Sequence, residues 1–401
     1  MNSYNVSQLS RTARRFMTVG VSCAVIFTQL AAPALAGPRE VAKRIHDRIA
    51  GVPPTEAVLT SMTTEVAAGR LTAAANIAMD SPFFYNVTLK NFATPWTNRD
   101  QTVFAPLNDY TATVIGMVRD DLPFNTVLSD DILYTSNAAG LPAASAVNND
   151  HYARAEADSV DLKATLVKTT QSQVLGIPTA ATAGVMTTRA AAEAFFIDGT
   201  NRAMFRFTFV NHMCHDMEQL QDVTRPTDRI RQDVARSPGG DSRLFENNCK
   251  SCHGNIDSMA QAFAYYDFEN GEGQQQKLVY TAGTVNPKYF INPDNFRPGF
   301  VTPNDQWENR MRTGPNKILG FSPTLPGNGA GAKSLGQELA SSEAFATCQV
   351  EKVFKAVCFR APSNQADYGE VARVTNVFKT GGYKLKQVFA ETAAYCSAGA
   401  E

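Results

Sequence analysis

The chain has 401 residues, 37 Lys and Arg against 38 Asp and Glu, and a formal charge of −1. That balance excludes a strongly basic surface for nucleic acid, and the length exceeds one small domain and suggests two or three modules. Beyond the N-terminus no segment has eighteen consecutive apolar residues, so no membrane span is expected in the mature chain.

The N-terminus carries Arg11, Arg14 and Arg15, then an apolar run over 16–30, then Ala34-Leu35-Ala36 before Gly37. This is the pattern of a secretory signal peptide cleaved after Ala36. Thr18, Ser22, Thr28 and Gln29 interrupt the run, which argues against an uncleaved anchor. The expected location is the bacterial periplasm.

Residues 40–50 and 55–80 repeat Ala, Val, Met and Leu at helical spacing, up to a break at Pro82. A further helix is expected over 109–120, stopped by the Asp121-Leu122-Pro123-Phe124 turn. Residues 135–185, rich in Ala, Asn, Ser and Thr, read as an irregular connection. One helix is expected from Thr188 through Phe205 to Leu220, with Phe195, Phe196, Phe205, Phe207 and Phe209 as core. After the Pro238-Gly239-Gly240 turn, Asp241 or Ser242 caps a helix that carries residues 249–253. A loop-rich stretch covers 270–338, and helices return over 336–357, 368–379 and 383–395. No fixed-period repeat and no strong strand alternation occur, so the expected class is mainly α.

The helix after Asp241 contains Cys249-Lys250-Ser251-Cys252-His253, a CxxCH pentapeptide. This is the attachment pattern of a c-type haem. Two thiols three positions apart can form thioethers to both vinyl groups, and the next imidazole then reaches the iron as proximal ligand. A bare CxxC also reads as a zinc half-site or a redox dithiol. The following histidine and the export signal favour one covalent haem c. The implied layout is a helical module over 37–165, a cytochrome c-like haem module over 166–300, and a loop-rich segment with a C-terminal helical module over 301–401.

Cys214, Cys348, Cys358 and Cys396 remain in an oxidising compartment, where two disulfides are expected. Cys348 and Cys358 would lie about 15 Å apart on one helix, too far to bridge. Cys358–Cys396 with Cys214–Cys348 is the favoured pairing, free buried thiols the alternative.

The sixth iron ligand stays open among three cases. Met311, in a Gly- and Pro-containing loop, would raise the potential; a histidine, with His215 the named alternative, would lower it; an empty position would suit ligand binding or catalysis. His212 and His215 would share one helix face, yet no second cluster completes a zinc set. His46 and His151 read as surface residues. Asp257, one turn beyond His253, either orients a haem-contacting group or is a solvated or capping carboxylate. Residues 327–334 mimic a phosphate-binding loop, but Ala332 replaces the glycine before Lys333 and no strand is expected ahead of it, so the motif is rejected.

Residues 249–267 read CKSCHGNIDSMAQAFAYYD. This resembles the haem segment of the planctomycete-type multidomain cytochromes, roughly CxxCHxxIDPLGxALExxD. Cys249, Cys252, His253, Ile256, Asp257, Ala262 and Asp267 match it. Val185-Met186-Thr187 and Asn201-Arg202 fall where that family has two short steps before the haem, and residues 121–137 and 339–360 are similar to its flanking modules. Ser258, Ala260 and Ala264 depart from the pattern, and Met259 stands where the family has leucine, which argues against Met259 as a ligand. The resemblance implies export, one c-type haem in this module and a redox role, but no substrate.

The leading expectation is a monohaem electron carrier, working as a subunit or dedicated partner of a redox complex. A haem-dependent peroxidase- or oxygenase-like enzyme with an open distal site is the alternative. A protein whose haem serves assembly is the third reading.

Overall fold

The computed structural model describes residues 37–197, 199–270, 273, 275–290 and 297–398; the expected signal peptide lies outside them. The protein is mainly helical, 58 % helix against 7 % strand.

The periodic N-terminal stretches become α1 (Pro38–Ala50), α2 (Glu56–Ala67) and α3 (Leu71–Met79). Gly51, at φ 72°, ends α1 in the left-handed region that glycine tolerates. Next come the short α4 (Lys90–Ala93) and α5 (Asp109–Arg119), the latter capped by the Asn108 side chain. The stretch expected to be irregular instead contains α6 (Asp150–Ala157), α7 (Leu162–Thr165), α8 (Gln171–Leu175) and a ribbon of β1 (Leu133–Ser136) antiparallel to β2 (Leu166–Thr169). Strands of four residues are too short to register as alternation.

The single helix expected over 188–220 is two: α9 (Arg189–Phe195) and α10 (Arg202–Met213). Asn201 (φ 58°) precedes α10 and Cys214 (φ 55°) ends it, both left-handed. Then follow α11 (Ser242–Leu244), α12 (Lys250–Ala260), α13 (Gly331–Ala340), α14 (Glu343–Cys358), α15 (Gln365–Thr380) and α16 (Leu385–Ala398). Two further antiparallel ribbons pair β3 (Tyr266–Glu269) with β4 (Lys277–Tyr280) and β5 (Gln306–Glu308) with β6 (Asn328–Ala330). The rejected phosphate-loop mimic is β6 leading into α13. Lys333 there donates to the Thr179 carbonyl (2.7 Å).

The first and last described helices build one bundle: α1, α2 and α3 pack with α14, α15 and α16. One apolar core runs from Ala42 to Ala393 and includes Phe195, Phe196, Phe205 and Phe209. The described residues after 36 form one compact unit. Helix α10 packs against both α14 and α12. It therefore ties the CxxCH helix to the bundle.

Cys214 and Cys348 are disulfide-paired (Cα–Cα 5.3 Å), as are Cys358 and Cys396 (5.5 Å). This is the favoured pairing, and Cys348 and Cys358 do share α14.

Candidate functional site

The CxxCH helix begins with a cap. The Asp241 side chain accepts from the Arg243 N–H and starts α11. A π-helical turn over Phe245–Cys249 follows, and α12 begins at Lys250. Wide turns of this kind are frequent at functional sites, because they re-aim the side chains around them.

Three contacts fix α12 from its sides. The Ser251 carbonyl accepts from Asp222 N (3.0 Å), Asn255 Nδ2 donates to the Leu220 carbonyl (2.9 Å), and Ser258 Oγ donates to the Glu308 carbonyl (3.0 Å). Gly254 allows the loop before Asp228 to lie close: a Cβ there would stand 3.0 Å from Arg225 Cβ.

The two thiols are half-buried and unpaired, unlike the other four described cysteines. Cys249 packs on a small cluster of Ile230, Val234 and Phe245, separate from the main core. Cys252 packs at the edge of the main core, its Sγ 3.6 Å from the Met217 carbonyl. Burial pushes the Cys252 thiol up, and the Glu218 and Asp216 carboxylates add to this. A reactive dithiol needs a shift in the other direction.

His253 is partly exposed (side chain 23 %), and its Nδ1 lies 3.2 Å from Asp257 Oδ1. Asp257 has no exposed side-chain surface. Arg202 grips it through Nε (2.7 Å to Oδ1) and Nη2 (2.9 Å to Oδ2), and the Arg231 N–H reaches Oδ2 at 3.3 Å. The same Arg202 guanidinium spans Asp233 at 2.7 and 2.9 Å. Arg231 is buried above the Tyr289 ring, 4.7 Å from its centroid. Burial alone would raise the Asp257 pKa, but the Arg202 and Arg231 charges, with the hydrogen bond from His253, outweigh it and hold the carboxyl well below its ordinary value of 3.8.

An ionised carboxylate can only accept, so Nδ1 of His253 carries the proton that it shares with Asp257. The Nε2 lone pair is then left for a metal, and Nε2 makes no hydrogen bond among the described residues. This is the tautomer that a metal-ligating histidine adopts when a carboxylate holds its other nitrogen.

The residues fit a covalent haem. Two free thiols stand three positions apart on a helix, and an Nε2 lone pair follows them. Exposed apolar residues stand on the segments that meet the motif: Val223 next to Asp222, whose N–H binds the Ser251 carbonyl, Leu244 just before the π-turn, and Val301 next to Phe300, which pairs with Arg231. Among the described residues no group of three or more His, Cys, Asp or Glu side chains could hold a bare metal ion, so the zinc half-site finds no completing ligands.

The other expected site residues lie elsewhere. Met311 is fully buried in the main core. His215 lies past the left-handed Cys214 that ends α10, and its Nδ1 is 2.6 Å from the Met213 carbonyl. It therefore does not share a helix face with His212. His212 is buried, with Nε2 2.7 Å from Tyr110 Oη. His46 and His151, expected at the surface, are buried as well. His46 Nδ1 pairs with the Val52 carbonyl (2.9 Å); His151 pairs with the Pro142 carbonyl (2.7 Å) and the Ser136 N–H (2.9 Å). Each ring pins a loop.

Arg202 and Asp233 were not expected at the site. Arg202 lies 55 residues from Asp257, and ion pairs at such separation leave no spacing signature. Its only sequence trace is the Asn201-Arg202 step.

Comparison with protein-family models, with curated proteins and with solved structures finds no match.

Proposed function

We propose that the protein is an exported monohaem c-type cytochrome that carries electrons to or from a dedicated partner protein, as a divergent relative of the planctomycete-type cytochromes. The observation that carries this reading is the free Cys249 and Cys252 pair followed by His253, whose Nδ1 is held by the buried Asp257. A bound haem supplies one-electron ferric–ferrous exchange. Cys249 and Cys252 tether the ring, His253 offers Nε2, and the apolar side chains around Cys249 exclude water from one edge. The disulfides Cys214–Cys348 and Cys358–Cys396 suit an oxidising compartment.

A second reading, a haem-dependent periplasmic oxidoreductase with an open distal site, is favoured by two observations. Met311 has no exposed surface, and the His215 ring is engaged by its own chain.

The test is to express the chain with its export signal in a host that matures c-type cytochromes. The denatured, acid-acetone-extracted polypeptide is expected to keep one haem by pyridine haemochrome absorbance and intact mass, and Cys252→Ser is expected to weaken that retention. A colourless polypeptide without added mass overturns the proposal. Rapid carbon monoxide binding to the reduced protein favours the oxidoreductase; a six-coordinate reduced spectrum that resists it favours the carrier.

A further inference from the structure

We infer that Asp257 is a positioning residue for the proximal ligand and sets a low reduction potential, an inference that rests on the haem reading above. A proximal histidine can share its Nδ1 proton with a neutral carbonyl or with a carboxylate. Here the acceptor is a carboxylate, 3.2 Å away and without solvent exposure. A carboxylate draws the Nδ1 proton harder than a carbonyl does, so Nε2 becomes a stronger donor. A stronger donor stabilises ferric over ferrous iron, which lowers the potential.

The surrounding charges keep this arrangement in place. Arg202 donates two hydrogen bonds to the Asp257 carboxylate, and the Arg231 N–H adds a third, so both oxygens are held in place with Oδ1 facing Nδ1. Arg202 is itself shared with Asp233, so its positive charge is only partly spent on Asp257. Buried ion groups arranged this way hold a geometry more than they add stability. The i,i+4 spacing on α12 puts Asp257 one turn below His253, so the helix backbone fixes their separation. Arg202 comes from α10, the helix packed between α12 and the bundle. The Arg202 contact is therefore set by the docking of two helices, and the loop that carries Arg231 and Asp233 completes it.

The experiment uses the full haem-loaded chain, Asp257→Asn and Asp257→Glu, with haem content measured first. Absence of haem from the unsubstituted protein sinks the haem reading itself. With haem present, spectroelectrochemical titration of Asp257→Asn is expected to show a midpoint raised by at least about 59 mV, a tenfold shift in the ferric–ferrous ratio for one electron. Asp257→Glu, which restores a carboxylate, is expected to lie nearer the unsubstituted value. A midpoint unchanged within twofold in the ratio overturns the inference. Should Asp257→Asn not accumulate, the midpoint of the unsubstituted protein decides, read against a c-type cytochrome with the same sixth ligand whose proximal Nδ1 donates to a backbone carbonyl. A lower midpoint supports the inference, and one at or above that standard overturns it.

Discussion

Cys214 closes a 134-residue loop onto Cys348, and in doing so ends α10 and clamps it to α14. The second pair, Cys358 with Cys396, closes only 38 residues and lies wholly after the first. Because the loops do not overlap, their effects on the unfolded chain are separate. Chain entropy gives about 5 kcal/mol for the longer closure and about 4 kcal/mol for the shorter. Replacing Cys214 and Cys348 together by serine is thus expected to cost more than replacing Cys358 and Cys396, by about 1 kcal/mol. Guanidinium unfolding of the two double variants checks the order, and the reverse order would count against the clamp.

His212 predicts how stability responds to mild acid. It is buried between Trp96 (ring centroids 5.3 Å apart) and Phe345, with Tyr110 on Nε2 and no partner for Nδ1. Burial, reinforced by the nearby Lys352 ammonium, holds its pKa well below 6.5. The folded state thus keeps His212 neutral while the unfolded chain takes up a proton below 6.5. Stability is complete above that pH and falls as pH drops, by about 1.36 kcal/mol per unit from this group. His46 shifts the same way, mainly by burial, so the test is a difference. His212→Gln is expected to flatten the profile between pH 6.5 and 5 relative to the unsubstituted protein, at a cost of about 2 kcal/mol at neutral pH from the disturbed Tyr110 bond.

Asp367 acts at lower pH. Its side chain has no exposed surface and is held by Arg360 Nη2 (2.9 Å), the Ser363 N–H (2.9 Å) and Tyr395 Oη (3.0 Å). The Arg360 hydrogen bond outweighs burial and depresses the carboxyl below its ordinary 3.8. The stabilisation is present above 3.8 and is lost as pH falls toward the folded value. Asp367→Asn is expected to be less stable at neutral pH and to lose less between pH 4 and 2 in acid unfolding monitored by circular dichroism. An unchanged acid slope would remove Asp367 from that account.

The helices at both chain ends were legible because they are long and amphipathic, and Asp241 as the cap of the CxxCH helix was legible from its turn. The breaks around α10 were not. Asn201 and Cys214 take left-handed backbones because distant partners hold them: the Asn201 amide donates to the Phe263 and Tyr266 carbonyls, and Cys214 is tied to Cys348. A periodic run of phenylalanines conceals both breaks. His46 and His151 illustrate a related blindness, since a histidine that satisfies loop backbone looks in sequence like any surface histidine. At the site itself the motif named Cys249, Cys252 and His253, and the one-turn spacing named Asp257. Arg202 and Asp233 act through tertiary packing alone.

Met311 gives the sharpest separation between what spacing suggests and what packing permits. Its position in a Gly- and Pro-containing loop after the CxxCH motif makes it a candidate axial methionine, beside the reading of an ordinary loop methionine. Yet Met311 has no exposed surface, and its N–H is fixed by Asn309 Oδ1 at 2.9 Å. Asn309 in turn holds Glu338 of α13 (2.7 Å), which also pairs with Arg312. Releasing the thioether from the core would leave a cavity and disturb this buried polar lattice. Met311→Leu keeps nearly the same volume, so it is expected to cost less than about 1.5 kcal/mol. It is also expected to leave the optical spectrum and midpoint of the haem-loaded protein unaltered. Loss of a far-red methionine-to-iron charge-transfer band in that variant would instead make Met311 the sixth ligand, and would require the segment around Arg310 to rearrange when the haem is attached.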